Sequence, residues 1–135
     1  MRVGVLAIFA SFALLALPLT AAAGPAQDSD SDGTYDVLDF CSMDNQAPNP
    51  CGLDADTDGF GNHCDGDFTQ DGVVNASDFG PFSADLAAGI DSGIGSDMDC
   101  NGVVNATDFG LFAGQLSQGF PGPSGLSCAG TSPCP

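Results

Sequence analysis

A twelve-residue register recurs four times in this chain and limits its fold more than any other feature. The four copies are DSDSDGTYDVLD (28–39), DADTDGFGNHCD (54–65), DFTQDGVVNASD (67–78) and DMDCNGVVNATD (97–108). Short oxygen-bearing side chains alternate over the first five positions, a Gly follows at the sixth, and an Asp closes each copy. Asp, Asn and Gly in that order favour tight turns over helix or strand, because short polar side chains bond to their own backbone and Gly accepts φ > 0. The acidic residues concentrate here: of 18 acids, all Asp and none Glu, only Asp44, Asp85 and Asp91 fall outside the copies. Glu is a comfortable helix-surface residue, so an all-Asp set points to loops and caps. A solvated acidic run would show neither a fixed phase nor a Gly locked one step behind the fifth position.

Alternating oxygens on a sharply turning loop suit a hard divalent cation. Calcium loops of the EF-hand type take ligands from positions 1, 3, 5, 7, 9 and 12, the seventh through its backbone carbonyl, with Gly at position 6. That ruler selects Asp28, Asp30, Asp32, Thr34, Asp36 and Asp39 in loop 1, and Asp54, Asp56, Asp58, Phe60, Asn62 and Asp65 in loop 2. In loop 3 it selects Asp67, Thr69, Asp71, Val73, Asn75 and Asp78, and in loop 4 Asp97, Asp99, Asn101, Val103, Asn105 and Asp108. About four Ca²⁺ are therefore expected. Magnesium fits less well, since six or seven protein oxygens leave little room for the waters it retains. Zinc lacks its ligand pattern: there is no C-x-x-C, and the single His63 stands beside Cys64 without a second pair.

Met1–Leu19 carries Arg2, the only cationic residue besides His63, ahead of an apolar stretch, and Thr20-Ala21-Ala22-Ala23 supplies small cleavage-site residues. Residues 1–23 thus read as a signal peptide. Pro18 and the alanines argue against an uncleaved anchor. The exported remainder would hold 18 Asp and no Lys or Arg, which excludes charge-driven binding to nucleic acid or an anionic membrane. Self-repulsion would expand such a chain until cations neutralise it, so metal binding becomes folding free energy. Six cysteines fit an extracellular or cell-surface location with up to three disulfides, their pairing left open by sequence. With no Glu, Lys or Trp, one His and one Tyr, an acid–base pair or activated nucleophile is hard to assemble. No catalytic activity is expected.

The two halves use the register differently. Residues 24–66 lack helical periodicity, and the Cys41–Cys51 stretch with Pro48 and Pro50 is turn-rich. Leu38, Phe40 and Phe60 offer only local packing. Residues 67–118 are a duplication: 70–82 realigns with 100–112, and each loop runs into an apolar helical face, Val74, Phe79, Phe82 and Leu86 or Val104, Phe109, Phe112 and Leu116. Asn75 and Asn105 are placed to cap these helices, with Asp78 and Asp108 completing a capping box. The two faces are expected to pack on each other about a pseudo-twofold axis as core, and Pro81 to weaken the first helix. Residues 119–135 read as a Gly/Pro/Ser-rich extension, stapled or cross-linked through Cys128 and Cys134.

DSDSDGTYDVLDFC and DADTDGFGNHCD resemble thrombospondin type 3 repeats, and DGVVNASDFG with NGVVNATDFG is similar to the duplicated loop–helix of dockerin domains. The resemblance implies a small, mostly irregular plus α fold: a calcium-wound thrombospondin-like segment followed by a two-helix, EF-hand-type dockerin-like domain. Departures are the single pair of type 3 repeats, the extra Cys51, Thr69 at a usual Asn/Asp position, and Pro81. Dockerins bind cohesin domains, and the resemblance places the contact pairs at Ala76-Ser77 and Ala106-Thr107. Asn75-Ala-Ser77 and Asn105-Ala-Thr107 also match the glycosylation sequon, but modification there would compete with the metal. Two functions follow as expectations: a calcium-stabilised structural or self-associating extracellular protein, or a dockerin-like adaptor plugging into a cohesin-bearing, polysaccharide-degrading assembly.

Overall fold

The structure, a computed structural model, describes residues 26–45 and 54–134. The expected signal peptide and the Cys51 stretch with Pro48 and Pro50 lie outside the described residues. Among those described there is no strand, only one turn of 3-10 helix at Asp36–Leu38 and two α-helices, α1 (Phe79–Ala88) and α2 (Ala106–Gln118). The fold is small and mostly irregular, with α-helix confined to the duplicated half.

Both helices start where the register ends. The Asn105 side chain accepts from the Thr107 N–H at 2.8 Å, and Asp108 accepts from the Asn105 N–H at 2.7 Å, a complete capping box. The first copy makes the same bonds, Ser77 N–H to Asn75 at 2.9 Å and Asn75 N–H to Asp78 at 2.8 Å. Yet α1 begins at Phe79, whereas the position matching the start of α2 is Ala76. Pro81 explains the delay. It has no N–H to give the Ser77 carbonyl, so the preceding turn closes through shorter bonds, Asp78 N–H to Asn75 O and Gly80 N–H to Ser77 O. Pro81 costs α1 a turn rather than breaking it, because it sits in the first turn of what remains. Both helices end on a left-handed Gly, Gly89 and Gly119.

The buried core comprises Phe68, Val74, Phe82, Met98, Val104 and Phe112, with Leu86, Ile94, Leu111 and Leu116 packed against it. Ring contacts join equivalent residues of the two copies, Phe79–Phe109 at 6.3 Å and Phe82–Phe112 at 4.9 Å, and exchange them in Phe79–Phe112 and Phe82–Phe109. Such reciprocal pairing marks an approximate twofold relation. Two expectations are corrected. Phe79 and Phe109 are half-exposed rim residues rather than core, their rings meeting each other and the partner copy's buried Phe at the edge of the cluster. Leu38 is exposed on the short 3-10 turn and packs on nothing substantial. Phe68 and Met98 are the unexpected core members: they occupy position 2 of loops 3 and 4, so the loops themselves deliver side chains to the core.

Among the described residues, those before 66 add nothing to this core. Their buried apolar residues are Cys41 and Cys64, which are bonded to each other. Cys128 pairs with Cys134, and Cys100 is also disulfide-bonded. The halves meet at Gly66, where a Cβ would lie 2.9 Å from Gln115 Cβ and 3.0 Å from Val74 Cγ1. His63 adds a second link, its Nδ1 2.8 Å from the Met98 carbonyl and its Nε2 2.9 Å from Asp44. Outside the register, Asp85 of α1 is buried and accepts from the Ser92 N–H and the Ser92 and Ser96 hydroxyls, which ties down the linker between the copies.

Candidate metal centre

The four loops share one backbone path. Position 6 is left-handed in each (Gly33, Gly59, Gly72, Gly102), and so is position 4, where the residues are Ser31, Thr57, Gln70 and Cys100 with φ between 52° and 65°. A non-Gly residue in that region costs on the order of 1 kcal/mol. Four unlike side chains held in it at the same loop position show that the turn, not the residue, dictates the conformation. The hydrogen bonds repeat as well. The position-1 carboxylate accepts the Gly N–H of position 6 in every loop, Asp28 from Gly33, Asp54 from Gly59, Asp67 from Gly72 and Asp97 from Gly102, at 2.6–3.1 Å. The position-5 side chain accepts from the position-7 N–H at 2.6–3.0 Å. The carboxylates and amide oxygen of positions 1 and 5 are thereby turned inward on a ring of N–H groups.

Position 9 separates the halves. In loops 1 and 2 it reaches back: Asp36 takes the Ser29 N–H at 2.7 Å and Asn62 the Ala55 N–H at 2.9 Å. In loops 3 and 4 it faces forward to accept the position-11 N–H, as the helix cap in loop 4 only, and Asn75 and Asn105 give their amide N–H to the position-7 carbonyls of Val73 and Val103. The closing Asp divides the same way. Asp39 and Asp65 accept from Cys41 and Asp67 just downstream, whereas Asp78 and Asp108 accept from position 3 (Thr69, Asp99) and position 9 of their own loops. All four closing residues are buried, between 0% and 3% exposed.

Carboxylate oxygens within 4.8 Å of one another gather at Asp28/Asp30/Asp32, Asp54/Asp56/Asp58 and Asp97/Asp99/Asp108. Loop 3 forms no such triad among the described residues, because Thr69 stands at position 3 and gives its hydroxyl to Asp78 at 2.9 Å. Seven carboxylates are buried (Asp39, Asp58, Asp65, Asp67, Asp78, Asp85, Asp108), and no Lys or Arg occurs among the described residues. Buried charge without a counter-charge costs several kcal/mol per ion, so such groups bind cations or protons. Burial, reinforced by the charges of Asp58, Asp56 and Asp67, pushes Asp65 up to about 8. Burial and then the Asp58 charge push Asp56 up to about 7. Asp39, Asp58 and Asp97 are raised too, burial again being the largest cause.

The fit to a cation is best tested in loop 1. Asp28 Oδ1, Asp30 Oδ2 and Asp39 Oδ2, at positions 1, 3 and 12, are buried atoms with no hydrogen-bond partner. Three oxygens with unsatisfied lone pairs on one loop form a donor set that a hard cation satisfies and water does not reach. Sequence reasoning missed two features of the site. Gln70, at position 4 of loop 3, donates to Asp56 of loop 2 at 2.7 Å and ties neighbouring loops together. Residues 119–134 bond back onto loops 1 and 2, Gly125 N–H to Asp39 O at 2.9 Å and Gly130 N–H to Asp58 O at 2.8 Å among them. Both use groups common to any sequence, so periodicity carried no trace of them. Ala76, Ser77, Ala106 and Thr107 are all exposed. No family model, curated protein or solved structure matches the chain.

Proposed function

We propose that the chain is a secreted, non-catalytic calcium-binding protein that serves as a structural or self-associating extracellular module, held together by about four Ca²⁺. The observation that carries this reading is the set of buried carboxylates on four loops of one geometry, with no Lys or Arg among the described residues and three orphaned oxygens in loop 1. Positions 1, 3, 5 and 12 of each loop would hold the ion through side chains, position 7 through its carbonyl, and position 9 of loops 3 and 4 through water, since those side chains are engaged by positions 7 and 11 of their own loops. The ion supplies positive charge where the described residues hold no Lys or Arg. Two disulfides among the described residues agree with an oxidising compartment. Calorimetric titration of metal-free protein is expected to give about four Ca²⁺ per chain. A stoichiometry of zero or one overturns the reading.

A second reading is the dockerin-like adaptor. It is favoured by the symmetric exposed surface formed by Ala76-Ser77 and Ala106-Thr107 beside the half-exposed Phe79 and Phe109. Ser77→Arg combined with Thr107→Arg is then expected to abolish binding to a cohesin domain while leaving calcium stoichiometry intact. If no cohesin binds the unaltered protein, the structural role stands alone.

A further inference from the structure

Past Gly119, whose carbonyl accepts the Val74 N–H, the segment after α2 is bound to loops 1 and 2 and their flank, mostly through its backbone with the Ser124 and Ser132 hydroxyls assisting. Gly122 N–H bonds to Cys64 O at 2.8 Å, Gly125 N–H to Asp39 O at 2.9 Å, Gly130 N–H to Asp58 O at 2.8 Å and Cys134 N–H to Thr57 O at 2.7 Å. In return Pro123 O accepts the Ser42 N–H at 3.0 Å. Two of those carbonyls belong to expected ligand residues, position 12 of loop 1 and position 5 of loop 2. Another, Thr57, is the left-handed position 4 of loop 2.

The crossing is too close for side chains. A Cβ on Gly59 would meet Cys134 Sγ and the Ala129 backbone, one on Gly122 would meet the Phe60 ring, and one on Gly125 would run into the Asp36 carbonyl. Loops 1 and 2 contribute nothing to the aromatic core. Without an ion, little besides the Cys41–Cys64 disulfide opposes the mutual repulsion of their nine Asp residues. The carbonyls that hold residues 119–134 are therefore in register only when the loop path is imposed.

We propose that residues 119–134 form a calcium-coupled strap, which docks on loops 1 and 2 when their ions are bound, holds those ions more tightly in return, and is released when they leave. The inference rests on the calcium reading and adds a direction to it. Metal binding at the two helix-free loops controls whether the end of the described chain is docked or free, and linkage makes the effect mutual. Loops 3 and 4, whose path is also supported by the core and, in loop 4, by the Asn105 cap, meet the segment only at its first residue, where Gly119 O accepts the Val74 N–H at 3.2 Å, and stay outside the coupling.

The test uses the full-length protein and reads each loop separately. Gly125→Val drives a branched side chain into the Asp36 backbone and lifts the strap. Calorimetry is expected to show two of four sites weakened by roughly 5- to 150-fold, the usual span of coupling between sites, with the other two unchanged. The second measurement needs no variant: amide exchange of the unaltered protein across a series of free-calcium concentrations. Protection at Gly125, Gly130 and Cys134 is expected to be lost at the same midpoint as the Gly33 and Gly59 amides, while Gly72 and Gly102 follow a separate one. Strap amides that stay protected after Gly33 and Gly59 open, or four unchanged affinities in Gly125→Val, overturn the strap but leave calcium binding intact. Absence of any calcium binding by the unaltered protein would instead overturn the reading on which the strap rests.

Discussion

Loops 1 and 2 complete the same twelve-residue path as loops 3 and 4, but they recruit different support for it. In loops 3 and 4 the position-9 Asn turns forward to the position-11 N–H, the closing Asp folds back into the loop, and position 2 buries Phe68 or Met98. In loops 1 and 2 position 9 turns back, the closing Asp points downstream, and position 2 is Ser29 or Ala55, both exposed. The first pair relies on a disulfide, backbone bonds to residues 119–134 and, in the proposed reading, bound calcium. The second pair rests on an aromatic core as well. One loop geometry can thus belong to two kinds of structure, and the residues at positions 2 and 9 reveal which.

Removing the metal should break the comparison most visibly. With a chelator present at pH 8.5, where neither cation nor proton neutralises Asp56 and Asp65, amide exchange across 26–65 is expected to approach that of an unfolded chain, while Val74–Phe82 and Val104–Phe112 keep measurable protection from ring packing. Equal loss in both halves would show that the core cannot stand without its ions and that the contrast is one of degree. The next effect probes the other side. Phe112 is fully buried and touches Phe68, Phe79 and Phe82, so Phe112→Ala should cost about 3–5 kcal/mol in denaturant unfolding. Calcium affinity should fall more in loops 3 and 4 than in loops 1 and 2.

A third effect is sharpest around the junction of loops 2 and 3, where Asp56 and Asp65 sit. Their folded carboxyls are raised to about 7 and about 8, against about 3.9 for an unfolded Asp. Between about pH 4 and pH 8 the metal-free folded state therefore binds more protons than the unfolded one, and its stability falls as pH rises through that window. Melts in metal-free buffer should give a higher Tm at pH 5 than at pH 8.5. Calcium displaces those protons, so its binding at pH 7 should release them, which calorimetry detects as a heat that varies with the buffer. The smallest effect concerns Pro81. Pro81→Ala restores the missing N–H, and circular dichroism should report about one more turn of helix, with a stability change under about 1 kcal/mol. No gain in helix would mean that something other than Pro81 delays α1.

Much of the site was legible because its chemistry fixes residue types at fixed steps. Gly at position 6 and short oxygens at 1, 3 and 5 announce a loop whatever surrounds it, and the Asn105 cap followed from the same pattern, whereas Asn75 makes the matching bonds but stands three residues before the N-cap of α1, Asp78. The core was half legible. Helical spacing found Val74, Phe82, Val104 and Phe112, but it ranked the rim residues Phe79 and Phe109 equally and passed over Phe68 and Met98, which lie in loops where no periodicity applies. Position 4 gave no sign of its left-handed backbone, because Ser31, Thr57, Gln70 and Cys100 share no chemistry. The docking of residues 119–134 was invisible for a related reason: backbone N–H groups and carbonyls are present at nearly every position.

Gly66 carries a consequence for how such a chain could be assembled over time. Loop 2 ends at Asp65 and loop 3 begins at Asp67, so the single residue between them is the only slack, and it is pressed against Gln115 and Val74. Repeats that look like interchangeable beads in the sequence are joined here by a fitted joint. Another repeat could be spliced in ahead of loop 3 only if it brought a glycine at that spot and kept the one-residue spacing. A longer or bulkier connection would leave both halves with their loops but misalign Gln70 with Asp56 and His63 with Met98, turning a single object into two tethered ones.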